Sequence, residues 1–298
     1  MTLSRTSPSR GPRSAIVHGF HDDSTGSNQY LAICPATGRG ALIDVVRDFD
    51  PKSARTSTAT IDRILRFARS EGVTVDWVLD THPHADHLMA SALLAERTGA
   101  PNAIGAKVVE IAGLWRDYYH LPDAFDPVAD FARLFKDGDT FTLGELPVRV
   151  MLSPGHTLGS ITYVVGEDAA FVHDTFMQPD IGTSRADFPG GSASDLYTSL
   201  QAILALPDAT RLFVGHDYGT DHRGPEWEST VAQQRRHNAH VGGGVPRQDF
   251  IDRREARDRT LALPDRMLHV IQMNLRAGKA PQAEADGHVY LRIPLDRF

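Results

Sequence analysis

The chain has 298 residues, of which 41% are hydrophobic and 23% are charged, and its formal net charge is −7. This ordinary globular composition suits one large α/β domain, and the negative charge argues against a protein that binds nucleic acid along its phosphates. No apolar run approaches the roughly 18 residues needed to span a membrane. The single cysteine, Cys34, excludes an internal disulfide and a cysteine-built zinc site, and it favours a reducing compartment such as the cytoplasm.

The first thirteen residues, MTLSRTSPSRGPR, carry three arginines and no acidic residue. We predict a disordered tail over residues 1–13, because the segment has two prolines and no amphipathic pattern. Its composition also resembles a transit peptide, which leaves the mitochondrial matrix as an alternative location.

Short apolar strands alternate with helical patterns through the first half of the chain. The segments SAIVHGF, QYLAIC and ALIDVV are typical of strands. A helix is predicted from Thr58, since apolar residues recur there at helical spacing and Gly72 suits its end. The buried strand VDWVLDT follows, and LMASALLAERTG predicts a second helix that ends at Gly99.

The second half opens with DTFTLGELPVRVMLS, which predicts two strands around a turn. SITYVVG and AAFVHD follow as strands, ASDLYTSLQAILALP as a helix, RLFVG as a strand and ESTVAQQRRHNAH as a helix. From about residue 241 a C-terminal extension contains a helical stretch near 247–260 and a short strand, VYLRIPL. We expect a homodimer, and we expect the extension to cover a sheet edge or to mediate the dimer rather than to shape the active site.

Four predicted strands each lead into a segment that carries histidine or aspartate. THPHADH follows VDWVLD, SPGHTLGS follows VRVML, HDTFM follows AAFV, and GHDYG follows RLFV. Ligand sites in layered α/β folds form where such loops converge. The residues concerned are His82, His84, Asp86, His87, His156, Asp174 and His216.

Imidazole and carboxylate groups together suit zinc, iron or manganese. A charged cluster placed by buried strands would be costly without a cation, so the sequence predicts a metal site. His173 precedes Asp174 on its strand, and we therefore expect its side chain to point to the opposite face.

The motifs HPHADH, GHTLGS, HDTFM and GHD, in this order, resemble those of the metallo-β-lactamase superfamily over residues 15–240. The resemblance implies an α/β fold, an αβ/βα four-layer sandwich, that forms a single catalytic domain over residues 14–298. In the two-metal hydrolases of that superfamily, the first ion would be held by His82, His84 and His156. The second ion would be held by Asp86, His87 and His216, with Asp174 between the two ions.

Further motifs resemble the persulfide dioxygenase branch of this superfamily. They are ARTSTAT at 54–60, IGTSRADFPGGSASDLYTSL at 181–200 and STVAQQRRHN at 229–238. The resemblance implies one iron(II) ion per chain, held by His82, His156 and Asp174. It also implies glutathione persulfide and O2 as substrates, with sulfite and glutathione as products.

The rest of the histidine and aspartate set is open to two interpretations. In a one-iron enzyme these side chains would orient the ligands or waters. In a two-zinc thioester hydrolase similar to glyoxalase II they would be metal ligands, with Asp86, His87 and His216 on the second Zn(II). A carrier would bind metal without turnover. The four residues are His84, Asp86, His87 and His216.

Glutathione has two carboxylates, and arginine is the best planar partner for a carboxylate. By resemblance, the matching substrate-binding positions are Arg185, Tyr218 and Arg235. For Arg235 the alternatives are that it is a solvated helix charge or that the neighbouring Arg236 makes the contact.

Overall fold

Two mixed β-sheets form the centre of the molecule, which is described over residues 3–298 by a computed structural model. The first sheet has the strand order β1 (Ser4–Ser7), β2 (Ile16–Asp22), β3 (Ser27–Ile33), β4 (Arg39–Ile43), β8 (Thr74–Leu79), β10 (Asn102–Gly105) and β11 (Arg133–Phe135). The second has the order β12 (Thr140–Leu143), β13 (Leu146–Leu152), β14 (Ile161–Val165), β15 (Ala169–His173), β16 (Arg211–Val214) and β17 (Glu228–Thr230). Two small ribbons pair β5 (Val46–Arg47) with β9 (Leu88–Met89), and β6 (Phe49–Asp50) with β7 (Arg55–Thr56).

Eight helices accompany the sheets within residues 3–298. They are α1 (Ala59–Ser70), α2 (Ser91–Thr98), α3 (Val108–Tyr119), α4 (Pro127–Asp130), α5 (Ala193–Leu204), α6 (Val231–His237), α7 (Arg247–Asp258) and α8 (Met267–Asn274). None of these helices combines the length and the hydropathy that a membrane span requires.

The two sheets pack face to face through the apolar side chains on their facing sides. Tyr30 of the first sheet contacts Phe171 and Phe213 of the second, with ring centroids 5.3 Å and 5.5 Å away. The next residue along β3, Leu31, belongs to a different buried cluster, which includes Ile61 of α1. This alternation is what a strand buried between a sheet and a helix requires. The predicted sandwich of two sheets with outer helices is therefore confirmed.

The N-terminal segment differs from the disordered tail predicted for residues 1–13. Residues 4–7 form the edge strand β1, which pairs antiparallel with β2. The fully buried guanidinium of Arg211 anchors the segment by donating to Ser7 Oγ at 2.9 Å and to the Pro8 carbonyl at 3.2 Å. An edge strand needs main-chain partners on one side only, so it can form without an apolar pattern. Residues 1 and 2 lie outside the described part of the chain.

The strand predicted from VYLRIPL does not form, and residues 289–295 are irregular. The Arg292 main chain instead bonds to one side chain: its N–H donates to Gln272 Oε1, and its carbonyl accepts from Gln272 Nε2, both at 3.0 Å. Pro294 has no N–H to donate to a neighbouring strand. Gln272 lies on α8, a helix that the sequence patterns had not predicted.

Candidate metal centre

The predicted loops meet at one edge of the two sheets. The HPHADH loop follows β8, His156 follows β13, Asp174 follows β15 and His216 follows β16. The His82 and His156 rings have centroids 5.0 Å apart, and His216 Nδ1 lies 2.6 Å from Asp174 Oδ1. The convergence predicted from the strand ends is therefore present in the fold.

In the predicted triad, the two histidine rings approach the same carboxylate oxygen of Asp174. Asp174 Oδ2 lies 3.7 Å from His82 Nε2 and 3.5 Å from His156 Nε2. Burial raises the pKa of Asp174, but the charges of His216 and His173 outweigh burial and hold that pKa well below its usual range. Asp174 is therefore an ionised ligand group at neutral pH.

Each of four histidines uses one ring nitrogen in a hydrogen bond outside the cluster. His156 Nδ1–H donates to the Arg185 carbonyl at 2.8 Å, and His84 Nε2–H donates to Asp44 Oδ1 at 2.9 Å. The other two bonds join His87 Nδ1 to the Leu88 carbonyl at 3.4 Å, and His82 Nδ1 to Thr81 Oγ1 at 3.1 Å. Such outer partners fix the ring orientation and the tautomer of metal-binding histidines.

The other ring nitrogen of three of these histidines has no partner, and this indicates a metal ion. His82 Nε2, His84 Nδ1 and His87 Nε2 are buried and have no hydrogen-bond partner. Leaving a buried polar atom unpaired costs about 1–3 kcal/mol, so three such atoms beside ionised carboxylates would be expensive without a cation. The donor set therefore fits a metal ion that accepts nitrogen and oxygen ligands.

The described residues contain two overlapping groups whose donor atoms lie within 4.8 Å of one another and that share Asp174. One comprises His82, His84, His173 and Asp174, and the other Asp86, Asp174 and His216. A further group joins His84, Asp86 and His87. The cluster therefore contains donor atoms for one ion or for two.

His173 was expected on the opposite face, and that prediction is wrong. Its φ is +37°, and the pairing of β15 with β16 shifts register between Phe171 and His173. Such a bulge breaks the alternation of side chains, so two consecutive residues face the same side. The His173 ring consequently lies 4.6 Å from the His84 ring, between centroids, and its Nδ1 lies 3.3 Å from Asp174 Oδ1.

Asp44 is a residue of the centre that the sequence reasoning missed. It is buried at the end of β4, where its Oδ1 accepts from the Thr81 main-chain N–H at 2.8 Å as well as from His84. It therefore ties the start of the histidine loop to the first sheet. The available signal was an acidic residue at the end of an apolar run, ALIDVV.

A cavity of about 470 Å³ opens onto the centre. Its inner lining includes four residues of the cluster: Asp86, His156, Asp174 and His216. This volume lies in the range of about 300–1,000 Å³ that is typical of small-molecule binding sites.

The three predicted substrate-binding residues are not all at this cavity. Arg185 and Tyr218 line it, and Tyr218 is 70% exposed. Arg235 and its neighbour Arg236 do not line it. The Arg235 guanidinium instead binds Asp208 and the Leu204 carbonyl of α5, outside this cavity. The assignment of Arg235 to the substrate site is therefore wrong.

Residues 23–216 match the metallo-beta-lactamase superfamily model. The chain belongs to this superfamily. A beta-lactamase hydrolase-like protein of Xylella fastidiosa is 52% identical over 94% of the chain, which spans 64% of that relative's length. Glyoxylase B2 of Dictyostelium discoideum is 37% identical over 95% of the chain and 97% of its own length. The solved structure of ETHE1 from Myxococcus xanthus has a TM-score of 0.70 and 30% identity, covering 88% of this chain and 99% of that one.

One wall of the cavity lies beyond the part of the chain that matches the superfamily model. It is formed by His240, Arg254, Arg257, Leu261, Ala262 and Pro264. The expectation that the C-terminal extension leaves the active site untouched is therefore wrong. Helix α7 and the loop after it pack over the loop that carries Arg185, and there the Ala262 carbonyl accepts from Arg185 Nη1 at 2.6 Å.

Proposed function

We propose that the chain is an iron(II)-dependent persulfide dioxygenase that oxidises glutathione persulfide with O2 to sulfite and glutathione. The observation that carries this proposal is the approach of His82 Nε2 and His156 Nε2 to one oxygen of Asp174, beside an open cavity. Two histidines and one carboxylate are typical of non-haem iron(II) oxygenases. The motifs that resemble the persulfide dioxygenase branch and the 30% identity to ETHE1 of Myxococcus xanthus support the same reaction.

The overall reaction joins one persulfide, one O2 and one water to give one glutathione and one sulfurous acid. The outer sulfur is oxidised, O2 is reduced, and the sulfur–sulfur bond breaks. When bound, iron(II) at such a triad supplies the redox chemistry with O2 that zinc cannot. The chain's own residues hold the ligand rings in place and present apolar surface beside them, from Met177, Ile181 and Phe188.

The carboxylates of glutathione need cations in this cavity, and Arg257 is the best placed. Arg185 Nε and Nη2 already donate to both oxygens of Asp187, at 2.6 Å and 2.8 Å. Arg254 is buried and paired with Asp258 at 2.6 Å. Within residues 3–298, the only hydrogen bond of the exposed Arg257 guanidinium goes to Thr260 Oγ1 at 3.3 Å. We therefore assign the substrate carboxylate to Arg257 instead of Arg235.

A two-zinc thioester hydrolase similar to glyoxalase II is the second candidate. The observation that favours it is that His84 Nδ1 and His87 Nε2 are as free as His82 Nε2, so a second Zn(II) has donor atoms ready. The 37% identity to Glyoxylase B2 points the same way.

Metal analysis combined with an oxygen electrode separates the two reactions. Protein purified without oxygen should contain one iron per chain, consume O2 with glutathione persulfide and release sulfite. Two zinc ions per chain, no O2 uptake and rapid hydrolysis of S-lactoylglutathione would establish the hydrolase instead. The homodimer and the cytoplasmic location stay predictions.

A further inference from the structure

The side chain of Asn274, at the end of α8, binds the loop that carries the metal-ligating histidines and the strand that follows it. Its side-chain Nδ2 donates to the carbonyls of His84 at 2.7 Å and His87 at 2.8 Å. Its Oδ1 accepts from the main-chain N–H of Met89 at 2.9 Å. Asn274 is fully buried, so all three bonds are shielded from water.

The residues after Asn274 fit closely against β9 and the start of α2, directly after the same loop. The Ala277 carbonyl accepts from the Ala92 N–H at 2.9 Å. Gly278 has a φ of +81°, and a Cβ at this position would lie 2.0 Å from the Met89 carbonyl oxygen. Only glycine permits so close an approach of two backbones. The C-terminal segment therefore clamps a loop that lies nearly two hundred residues earlier in the chain.

These contacts fix one part of the metal centre more than the other. The carbonyls of His84 and His87 belong to residues whose rings also carry an unpartnered nitrogen, Nδ1 and Nε2 respectively. Asn274 makes no hydrogen bond to His82, His156 or Asp174. The triad has other partners: Thr81 Oγ1 for His82, the Arg185 carbonyl for His156 and His216 Nδ1 for Asp174.

We propose that Asn274 is a positioning residue that sets the direction of the His84 and His87 rings, and thereby decides whether a second metal ion binds. Loss of its amide frees the loop backbone between residues 84 and 89. The two rings then shift with the backbone that carries them, although Asp44 and the Leu88 carbonyl still bond to them, while the triad keeps its own partners. The inference rests on the metal centre and holds for either proposed reaction.

Co(II) titration of the chelator-treated full chain tests this role, because cobalt reports ligand number in its visible absorption. Asn274→Leu removes all three bonds while keeping a similar volume. Outer partners of metal ligands are worth about tenfold to a hundredfold in metal affinity. We expect a loss of this size for the Co(II) ion that depends on His84 and His87, with a change in its absorption, and a smaller loss for the triad.

Gln272→Leu is the matched control. Gln272 is also a buried amide on α8 with three hydrogen bonds, but its partners are Leu268 and Arg292 rather than the metal loop. Its Co(II) binding should stay within about twofold of wild type, since no outer partner is lost. If Asn274→Leu fails to fold, Asn274→Asp serves, because it keeps the acceptor for the Met89 N–H and loses the amide donors. Equal Co(II) stoichiometry, affinity and spectra in the Asn274 and Gln272 variants would overturn the proposal, whichever reaction the enzyme performs.

Discussion

The cavity has two sides that are built in different ways. Its inner side consists of loops that each follow a strand, so buried sheet geometry fixes where each ligand loop begins. Its outer wall consists mainly of α7 and the loop after it, which pack on that frame from the far end of the chain. The metal site is thus set by the sheets, whereas the surface that meets the substrate is set by the C-terminal segment.

The two sides also differ in charge. On the inner side, burial lowers the pKa of His216, but Asp174 and Asp86 outweigh it and hold that pKa well above its usual range. The centre is therefore a tightly paired set of opposite charges. The outer wall carries unbalanced positive charge, and Arg257 has no carboxylate partner among the described residues. One side of the cavity thus carries carboxylates paired with histidines, and the other side carries an arginine without a carboxylate partner.

The largest effect is expected from Asp174→Ala, which removes the carboxylate shared by both donor groups. Metal affinity should fall by more than the roughly hundredfold that an outer partner can cost, and turnover should disappear. His222→Ala, at an exposed position after the last ligand loop, is the control. Elemental analysis after dialysis measures the loss. A variant that retains its full metal content would remove Asp174 from the ligand set.

Arg257→Gln tests the outer wall. A charge-assisted hydrogen bond is worth about 1.5–3 kcal/mol, so kcat/KM should fall about tenfold to a hundredfold. KM should carry most of the change if the contact is equal in the ground and transition states. Arg259→Gln is the control, since Arg259 is also exposed but lies outside this cavity. Equal kinetics in the two variants would exclude Arg257 from substrate binding.

Arg185→Ala should cost less than Arg257→Gln, only a few-fold in kcat/KM, because its guanidinium is already saturated by Asp187 and the Ala262 carbonyl. The bond to His156 comes from the Arg185 main chain and survives the substitution. Steady-state O2 uptake at varied persulfide concentration compares the two variants. A larger loss in Arg185→Ala would restore the carboxylate assignment made from the sequence.

The sequence could predict what regular geometry determines. Strand ends placed His82, His156, Asp174 and His216 correctly, because a buried strand fixes where its following loop begins. It could not predict His173, since a one-residue bulge leaves no trace in the hydrophobic pattern. Nor could it predict that Arg235 lies outside the cavity, because five consecutive polar residues on a short helix do not show which of them faces a cavity.

The role of the C-terminal segment was the largest omission from the sequence-based predictions, because its contacts join residues that are far apart in sequence. Asn274 and Arg257 act on residues far earlier in sequence, and no spacing along the chain indicates those contacts. The pattern of α7 is polar and that of α8 is short, so periodicity alone gave no direction for either helix. Only the packed fold shows which residues these helices meet.

The smallest predicted effect concerns His240, which the outer wall buries beside Thr183. Burial and the neighbouring Arg254 lower the pKa of His240 to about 4, against an ordinary value of 6.5. Its Nδ1 accepts from the Thr183 main-chain N–H at 3.0 Å, a bond that protonation of Nδ1 would break. Between these two pKa values the unfolded chain binds a proton that the folded chain does not, so stability should fall as the pH drops.

We expect this residue to contribute about 1 kcal/mol to the loss of stability between pH 7.5 and pH 5, allowing for its partial exposure to solvent. His240→Gln keeps an acceptor for the Thr183 N–H but cannot take up a proton. Urea unfolding at both pH values should therefore show a shallower decline in this variant than in wild type, since the protonation of all other groups is common to the two proteins. Parallel declines would mean that His240 is already charged or fully solvated in the folded protein, and the outer wall would then be less tightly packed on the Arg185 loop than its hydrogen bonds indicate.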